Sequence, residues 1–246
     1  MKWIGYLLSS LWRIWFLIVF ILVFIAFIPA LFFFTAVYKK NKIVCHLTRY
    51  WSKLTLFFSF IYPKIEWEEK LDKKGHYIFC PNHVSTLDIP FILAILPVPL
   101  QFMGKAEIAK LPLFGYFFKN NAVIVDRKNR RDAYAAFLKA GEKLTTGLSM
   151  CFFPEGGIPK QDIFLKQFKN GPFRLAIEQN IKIIPITMPD NKYMFPQEYF
   201  KGWPGIVRVK VHKAIEPNNL TEKSIKNLNT SVYNTIFEQL NTYESK

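Results

Sequence analysis

The sequence predicts an α/β domain, built as a mixed sheet flanked by helices, that follows N-terminal helices embedded in a membrane. The first observation is a stretch from Ile14 to Val37 that contains no charged residue. The second is a change of pattern near Lys64, after which short apolar runs alternate with helical periodicity, as they do in α/β domains. We therefore predict membrane helices over residues 1–63 and the α/β domain over residues 64–246.

The uncharged stretch is long enough to cross a bilayer core of roughly 30 Å, which needs about 20 residues. Pro29 lacks an N–H, so we expect it to kink the helix or to end it near Ile28. A second aromatic-rich stretch follows over residues 43–62. The sequence allows a kinked spanning helix with an interfacial helix, or a hairpin that enters one leaflet. A hairpin buried in a soluble core is the remaining alternative.

Six apolar runs predict the strands of the domain. Five of them read as buried strands: Ile78–Cys80, Leu100–Met103, Val123–Val125, Met150–Phe153 and Ile183–Ile186. In the sixth, Ile206–Val211, apolar and basic residues alternate, which predicts an edge strand. Helical patterns cover residues 131–144, 173–179 and 224–243, and Gly147 predicts a stop after the first of them.

The charge of the chain predicts an anionic partner. It carries 33 Lys and Arg against 18 Asp and Glu, a net charge of +15. Acidic membrane lipids or a phosphorylated substrate fit this charge, whereas the lack of any zinc-finger, RNP-type or Arg-rich reading motif argues against nucleic acid. The three cysteines, Cys45, Cys80 and Cys151, are far apart and form no CxxC pair, so we predict neither a disulfide framework nor a metal site.

A His–Asp pair is the first candidate for chemistry. His83 follows the strand 78–80 directly, and Asp88 comes five residues later, at the start of a helical pattern. An Asp that folds back to the ring holds a neutral His in one tautomer, and this makes the His a general base for a hydroxyl. Taken alone, such a spacing is more often a surface contact.

Three further blocks are candidates for substrate binding. Phe153-Pro154-Glu155-Gly156-Gly157 follows a strand, so that Glu155 is expected to face a cleft and the glycines to let the backbone approach a ligand. Gly104-Lys105-Ala106-Glu107 leads through Leu111–Gly115 to Asp126-Arg127, and an Arg at a strand end can bind a phosphate with two hydrogen bonds. Ile184-Pro185 lies in an apolar run, where a proline predicts an edge or a bulge.

The order of these blocks resembles the glycerolipid acyltransferase family, and within it the bacterial 1-acylglycerol-3-phosphate acyltransferases of the PlsC type. The blocks are His83-x4-Asp88, Gly115 through Arg127, Phe153-Pro154-Glu155-Gly156 and Ile184-Pro185. The resemblance extends over roughly residues 77–188, and a membrane-binding N-terminus is also typical of the family. It implies the family's fold, a mixed sheet between helices.

The resemblance also implies a function for each block. His83 would take the proton of a lysolipid hydroxyl, which would attack an acyl thioester, and Asp88 would orient His83. Lys105 and Arg127 would hold the acceptor phosphate, and Glu155 with Gly156 would position its glycerol. Gly157, beside them in the turn, is also predicted to bind substrate. The donor would be an acyl-coenzyme A or an acyl carrier protein thioester, with no bound cofactor or metal. Separately from the resemblance, the basic residues near the membrane helices predict that the enzyme lies on the inner membrane and faces the cytoplasm. They are Lys39, Lys40, Lys42, Arg49 and Lys53.

One position departs from the family pattern. The family continues Phe-Pro-Glu-Gly with Thr-Arg-Ser, whereas this chain has Gly157, Ile158 and Pro159. Lys160, Lys166 or Lys169 could supply a positive charge, but a lysine does not replace the fork of a guanidinium. We therefore keep two alternatives: acylation of a lysolipid without phosphate, such as a lyso-aminolipid, and a catalytically silent protein that binds anionic lipid. A serine hydrolase using Ser85 or Ser149 has no GxSxG motif to support it.

Overall fold

The computed structural model describes residues 2–126, 129–160, 163–218 and 220–245. The helices are α1 (Lys2–Phe32), α2 (Asn41–Phe58), α3 (Asp88–Ile95), α4 (Phe114–Asn121), α5 (Arg130–Thr145), α6 (Gly171–Gln179), α7 (Asn191–Met194) and α8 (Ile225–Glu244). The strands are β1 (Ile61–Trp67), β2 (Ile78–Pro81), β3 (Leu100–Lys105), β4 (Val123–Val125), β5 (Ser149–Cys151), β6 (Ile183–Thr187) and β7 (Gly205–Val211). Short 3₁₀ turns lie at Ile108–Lys110 and Glu222–Ser224.

The strands form one seven-stranded sheet in the order β1-β7-β6-β2-β5-β3-β4. Only the β6–β7 pair is antiparallel, so the sheet is mixed, and the α/β prediction is confirmed. One core lies between the sheet and α1–α3 and contains Phe79 and Phe91. The second lies between the sheet and α5, α6 and α8 and contains Ile78 and Val232. Because β2, β3, β4, β5 and β6 run parallel, their carboxyl ends meet at one edge.

The edge-strand prediction for β7 is wrong. β7 lies between β1 and β6, and its basic side chains are paired with carboxylates. Arg208 binds Asp190, and Lys210 lies 3.1 Å from both Glu66 and Glu68. The edges of the sheet are β1 and β4. β1 starts within the predicted second aromatic stretch and crosses the predicted division at residues 63 and 64.

Pro185 lies on an interior strand, so the prediction that it marks an edge strand is wrong. The other prediction, a bulge, describes the backbone pairing around it. Toward β2 the register is regular, with Cys80 opposite Pro185. Toward β7, Ile186 pairs with Val211 but Ile183 with Ile215, which leaves one extra residue on the β7 side. A proline is tolerated where the ladder is interrupted in this way.

The two N-terminal helices form a hairpin on the domain. Helix α1 does not end near Ile28 but continues through Pro29 to Phe32, and a π-helical turn follows over Phe33–Val37. Its segment Trp3–Val37 is long and apolar enough to cross a membrane. One face of α1, including Trp12 and Phe16, is buried on the domain.

The opposite face of α1 exposes a row of large apolar side chains. It includes Leu7, Ile14, Ile18 and Ile21. This exposed face argues against a hairpin buried in a soluble core, since exposed apolar patches of such size mark interaction with lipid or protein.

Polar contacts fix α1 to the segment that follows α7. The Ser9 hydroxyl donates to the carbonyl of Gly202 (2.8 Å), and the Trp12 indole donates to that of Ser59 (3.0 Å). The Arg13 guanidinium donates to the carbonyl of Pro196 and lies 4.5 Å from the ring centroid of Phe195. The hairpin and the domain are therefore in direct contact along the helix.

Candidate active site

The candidate residues follow strands that end at the same edge of the sheet. His83 comes after β2, Lys105 ends β3, Glu155 comes after β5 and Asn191 after β6. The carboxyl edge of parallel strands is where α/β proteins place their ligand sites. The fold thus brings together residues that are up to 108 positions apart, from His83 to Asn191.

The turn from His83 to Asp88 wraps around the carboxylate of Asp88. Oδ2 of Asp88 lies 2.8 Å from Nδ1 of His83 and accepts hydrogen bonds from the backbone N–H groups of Val84 (2.7 Å) and Ser85 (2.9 Å). Asp88 itself is the first residue of α3 and has no exposed surface. Four intervening residues are needed for this closure, which explains the spacing of the pair. It is a buried dyad and not a surface contact.

The environment of the His83 ring leaves one nitrogen for a substrate. With Nδ1–H donating to Asp88, Nε2 carries the lone pair, and it has no hydrogen-bond partner among the described residues. The ring stacks on Phe153, with centroids 3.9 Å apart and planes at 18°. His83 is 9% exposed, so a ligand can reach it only at its edge. The geometry is that of a general base held in one tautomer.

The expectation that Glu155 faces a cleft is wrong. Its side chain is 1% exposed, and its two oxygens accept hydrogen bonds from the backbone N–H groups of His83 (2.7 Å) and Lys166 (3.1 Å). Burial outweighs these bonds and the nearby His83 and raises the pKa of Glu155 to about 7. Since the backbone of the His83 turn has a donor to satisfy, the carboxylate turns inward.

The two glycines after Glu155 form a tight turn. Gly156 has φ +78°, and a Cβ there would lie 2.6 Å from Cε of Lys169. Gly157 has φ 155°, a backbone conformation that side-chain-bearing residues rarely adopt. These positive φ angles explain why glycine occupies both positions.

The other residues that the sequence predicts for binding or chemistry are Lys105, Arg127 and two serines. Lys105 is half-exposed, and its Nζ lies 3.3 Å from Oε1 of Glu107, also a half-exposed group. Arg127 lies outside the described residues. Ser85 and Ser149 are both buried with structural bonds: Ser85 Oγ donates to the carbonyl of Phe195, and Ser149 Oγ accepts from the N–H of Tyr77. Neither serine has the surroundings of a nucleophile.

A cleft of about 630 Å³ lies beside the catalytic turn, with Val84 in its wall. It is bounded by the segment after Gly157 and by the segment that follows α7. Its lining includes the basic side chains of Lys160, Lys192 and Lys201, together with Glu198 and Glu244. Lys192 is paired with Glu244 (3.1 Å) and Lys201 with Glu198 (2.5 Å). The cleft therefore combines apolar walls with a mixed, lysine-rich rim.

Sequence reasoning missed two residues that touch the dyad. The sequence points to Phe153 only as part of the Phe153–Gly157 block, although its ring stacks on that of His83. Asn191, whose amide donates to Asp88, was not considered. A signal for Asn191 exists, because Asp190-Asn191 follows the buried strand β6 at the edge where His83 follows β2.

Comparisons with known proteins agree with this geometry. The model of the acyltransferase family matches residues 63–189, about half of the chain, and the chain belongs to this family. A putative 1-acyl-sn-glycerol-3-phosphate acyltransferase of Caenorhabditis elegans is 33% identical over 195 residues, which are 77% of this chain and 67% of that protein. The 1-acyl-sn-glycerol-3-phosphate acyltransferase of Borreliella burgdorferi is 25% identical over 77% of this chain and 76% of its own.

A solved structure has the same fold. The crystal structure of the 1-acyl-sn-glycerophosphate acyltransferase PlsC from Thermotoga maritima superposes with a TM-score of 0.78 and 23% identity, over 100% of this chain and 99% of that one. The resemblance to PlsC-type enzymes stated from the motifs is thereby confirmed, including the N-terminal helices. Together with the exposed apolar face of α1, this indicates that the protein associates with a membrane.

Proposed function

We propose that the protein transfers a fatty acyl group from a thioester donor to the free hydroxyl of 1-acylglycerol-3-phosphate, which gives phosphatidic acid. The observation that carries the proposal is the buried dyad, with Nδ1 of His83 2.8 Å from Oδ2 of Asp88, in a chain of the acyltransferase family. The names of its relatives in C. elegans and B. burgdorferi support the acceptor.

The dyad suits a reaction whose nucleophile is a neutral alcohol. Nε2 of His83 takes the hydroxyl proton as the oxygen attacks the thioester carbonyl, and Asp88 stabilises the imidazolium that forms. The tetrahedral intermediate then expels the thiolate, which takes up a proton. A positioned base of this kind is typically worth about 10²–10⁴-fold in rate. The mechanism needs no metal and no bound cofactor, and either acyl-coenzyme A or an acyl carrier protein thioester can serve as donor.

Substrate contacts are assigned to the edge around the dyad. Lys105 and Arg127 bind the acceptor phosphate, and the backbone at Gly156 and Gly157 approaches the glycerol. For Glu155 we propose an indirect part, since its carboxylate holds the backbone N–H of His83 instead of facing solvent.

Two residues after Gly157 bear on whether the acceptor carries a phosphate. Lys160 in the wall of the cleft supports a phosphorylated acceptor, because it supplies a positive charge close to where the family has Arg. Ile158 at the family's Arg position favours the second candidate, a lysolipid without phosphate. We take the phosphorylated acceptor as the function, and the assay below separates the two.

For the location we propose the inner membrane, with the hairpin in one leaflet and the domain in the cytoplasm. The packing of one face of α1 on the domain supports insertion from one side rather than a free spanning helix. The basic residues near the hairpin favour the cytoplasmic side. They are Lys39, Lys40, Lys42, Arg49 and Lys53. A periplasmic signal from a C-terminal reporter fusion would contradict this orientation.

The function is tested by acyl transfer with the full chain purified in mixed micelles. The assay offers a long-chain acyl thioester and, in parallel, lysophosphatidic acid and a phosphate-free lysolipid. Product from lysophosphatidic acid that disappears in His83→Ala and persists in His76→Ala supports the proposal, because His76 is an exposed histidine outside the dyad. Product only from the phosphate-free lysolipid would move the enzyme to another lipid, and no product at all would favour a silent lipid-binding protein.

A further inference from the structure

Asp88 has one more partner, which comes from the other end of the domain. Nδ2 of Asn191 donates a hydrogen bond to Oδ1 of Asp88 at 2.7 Å, while the three other donors all reach Oδ2. Asn191 has no exposed surface, and it lies 103 positions after Asp88. Both oxygens of the carboxylate are therefore held, each from a different part of the chain.

The orientation of the Asn191 amide follows from its neighbours. The carboxylate of Asp88 and, at 3.7 Å, the sulfur of Met188 are both acceptors, so the nitrogen of the amide must face them. Oδ1 of Asn191 has no partner among the described residues. A buried amide that leaves its own oxygen unsatisfied gives up stability at this position. The hydrogen bond from its amide to Asp88 is the interaction that offsets this loss of stability.

Asn191 is itself fixed by the strand next to it. The preceding residue, Asp190, binds the Arg208 guanidinium through two contacts (2.7 and 2.9 Å) and also accepts from the Arg208 backbone N–H (2.8 Å). These bonds tie the start of α7 to β7. The amide of Asn191 is thus presented to Asp88 from a rigid support and not from a loose loop.

We propose that Asn191 is a positioning residue of the transfer reaction, the third member of a chain Asn191–Asp88–His83. It acts through Asp88: by holding Oδ1 it fixes the plane of the carboxylate, so that Oδ2 stays aimed at Nδ1 of His83 and Nε2 stays aimed at the acceptor. The kinetic part of this inference rests on the proposed function. Loss of a group that orients a catalytic partner typically costs about 10- to 100-fold in activity.

A purely structural role makes different predictions, and Asn82 provides the matched control. Asn82 is also fully buried and also uses its amide across strands, but it bonds the backbone N–H and carbonyl of Met188 and not the carboxylate. Asn82→Ala and Asn191→Ala therefore delete the same group at neighbouring sites. Both are expected to lower the melting temperature, whereas only Asn191→Ala is expected to misorient Asp88.

The experiment compares these variants in the full chain. We expect Asn191→Ala to lower kcat about 10- to 100-fold with KM for both substrates nearly unchanged, and Asn82→Ala to keep kcat within about threefold. Equal losses of kcat in the two variants, or a loss that appears in KM, would overturn the positioning role.

Two further readouts cover a variant that fails to fold and a failure of the proposed function. Asn191→Asp keeps the size of the side chain and places a second carboxyl within hydrogen-bond distance of the buried Asp88, so that the two share a proton and the new group can donate to Oδ1 in place of the amide. Its kcat should therefore lie above that of Asn191→Ala. If Asn191→Asp folds but is no more active than Asn191→Ala, the proposal fails. Independently of any substrate, the ¹H–¹⁵N signal of the His83 Nδ1 proton, assigned by its loss in His83→Ala, should broaden in Asn191→Ala and persist in Asn82→Ala. If it persists in both, the inference fails even where acyl transfer is confirmed.

Discussion

The catalytic turn and the α1–α2 hairpin differ in how completely their buried polar groups are hydrogen-bonded. In the turn, both oxygens of Asp88 and both oxygens of Glu155 accept hydrogen bonds. In the hairpin and the residue after it, several buried polar atoms have no partner among the described residues. They are Arg13 Nε, Thr35 Oγ1, Arg49 Nε, Trp51 Nε1, Ser52 Oγ and Ser59 Oγ.

The difference shows which kind of interaction determines the structure of each region. Hydrogen bonds are directional, so the turn has one geometry and a change of a single atom alters the site. Apolar contact is not directional and scales with area, so the hairpin can tolerate exchanges that keep its volume and apolar character. We expect substitutions in the turn to affect catalysis and substitutions in the hairpin to affect membrane binding.

The largest effect is expected for Asp88→Asn. The exchange keeps the size of the side chain, but its amide cannot accept from His83 Nδ1, Val84 and Ser85 while also facing the donor of Asn191. The imidazole then loses its orienting partner, and kcat should fall by about 10³–10⁴-fold, as for an asparagine in a catalytic triad. Steady-state kinetics with the micellar assay measure this. A loss of less than tenfold would contradict the dyad mechanism.

The second effect is expected on membrane binding. Leu7, Ile14 and Ile21 are 60%, 54% and 53% exposed on one face of α1. Changing all three to Asp removes about 1.5–3 kcal/mol of burial in lipid for each side chain, so binding to vesicles should fall by at least about 100-fold. Sedimentation with anionic vesicles measures the bound fraction.

A matched control uses α5, which packs on the opposite side of the sheet. Tyr134 and Leu138 are also large, exposed apolar residues. Tyr134→Asp and Leu138→Asp together should leave vesicle binding unchanged. If they weaken it as much as the α1 substitutions do, the membrane-binding surface is not the hairpin.

The third effect is a pH dependence that arises in the turn. The pKa of Glu155 is raised to about 7 by burial, so the folded protein keeps this proton where the unfolded chain, with a glutamate pKa of about 4.3, has lost it. The folded state then binds more protons, and this group makes the free energy of unfolding decrease as the pH rises through that window. Glu155→Gln cannot ionise. The melting temperature of Glu155→Gln minus that of the wild type should therefore rise by about 5 °C between pH 5 and pH 8.

The control for this prediction is a carboxylate without burial. Glu178→Gln, on the exposed side of α6, should leave the difference in melting temperature flat over the same pH range. A flat difference in Glu155→Gln as well would show that the carboxyl titrates at its ordinary pKa, and that its burial is compensated by the two backbone N–H groups.

Sequence reasoning predicted what depends on periodicity and on local spacing. The helical pattern predicted over residues 224–243 corresponds to α8, Ile225–Glu244, and β4 has the predicted bounds. The closure of His83 on Asp88 was predictable because it depends only on six consecutive residues.

What the sequence could not predict depends on pairing between distant segments. The basic pattern of β7 indicates an exposed edge until Glu66, Glu68 and Asp190 are known to face it. The inward turn of Glu155 likewise depends on a backbone donor 72 positions away, and the contact of Asn191 depends on an acceptor carboxylate 103 positions away. Local patterns carry no information on such partners. Arg127, the predicted phosphate ligand, lies outside the described residues and stays a prediction.

The smallest effect is expected for Arg13→Met in the hairpin, and the same exchange at Arg208, whose partner Asp190 precedes Asn191, is its comparison. Arg13 donates to a carbonyl, has an unpartnered Nε and faces no carboxylate in the described chain, so Arg13→Met removes a hydrogen bond but also relieves a desolvated charge. Its melting temperature should change by less than about 4 °C, and kcat should stay within about threefold.

Arg208→Met removes the partner of Asp190, whose side chain is only 10% exposed, and leaves a carboxylate that is nearly buried and unpaired. That should cost about 2–3 kcal/mol and a correspondingly larger drop in melting temperature. Because the start of α7 then keeps one of its three hydrogen bonds to residue 208, that from the backbone N–H, kcat should fall together with stability, through Asn191. Differential scanning fluorimetry and the micellar assay give both quantities. If Arg13→Met proves the more damaging of the two, the hairpin is specified by polar contacts after all, and the contrast between the two regions does not hold.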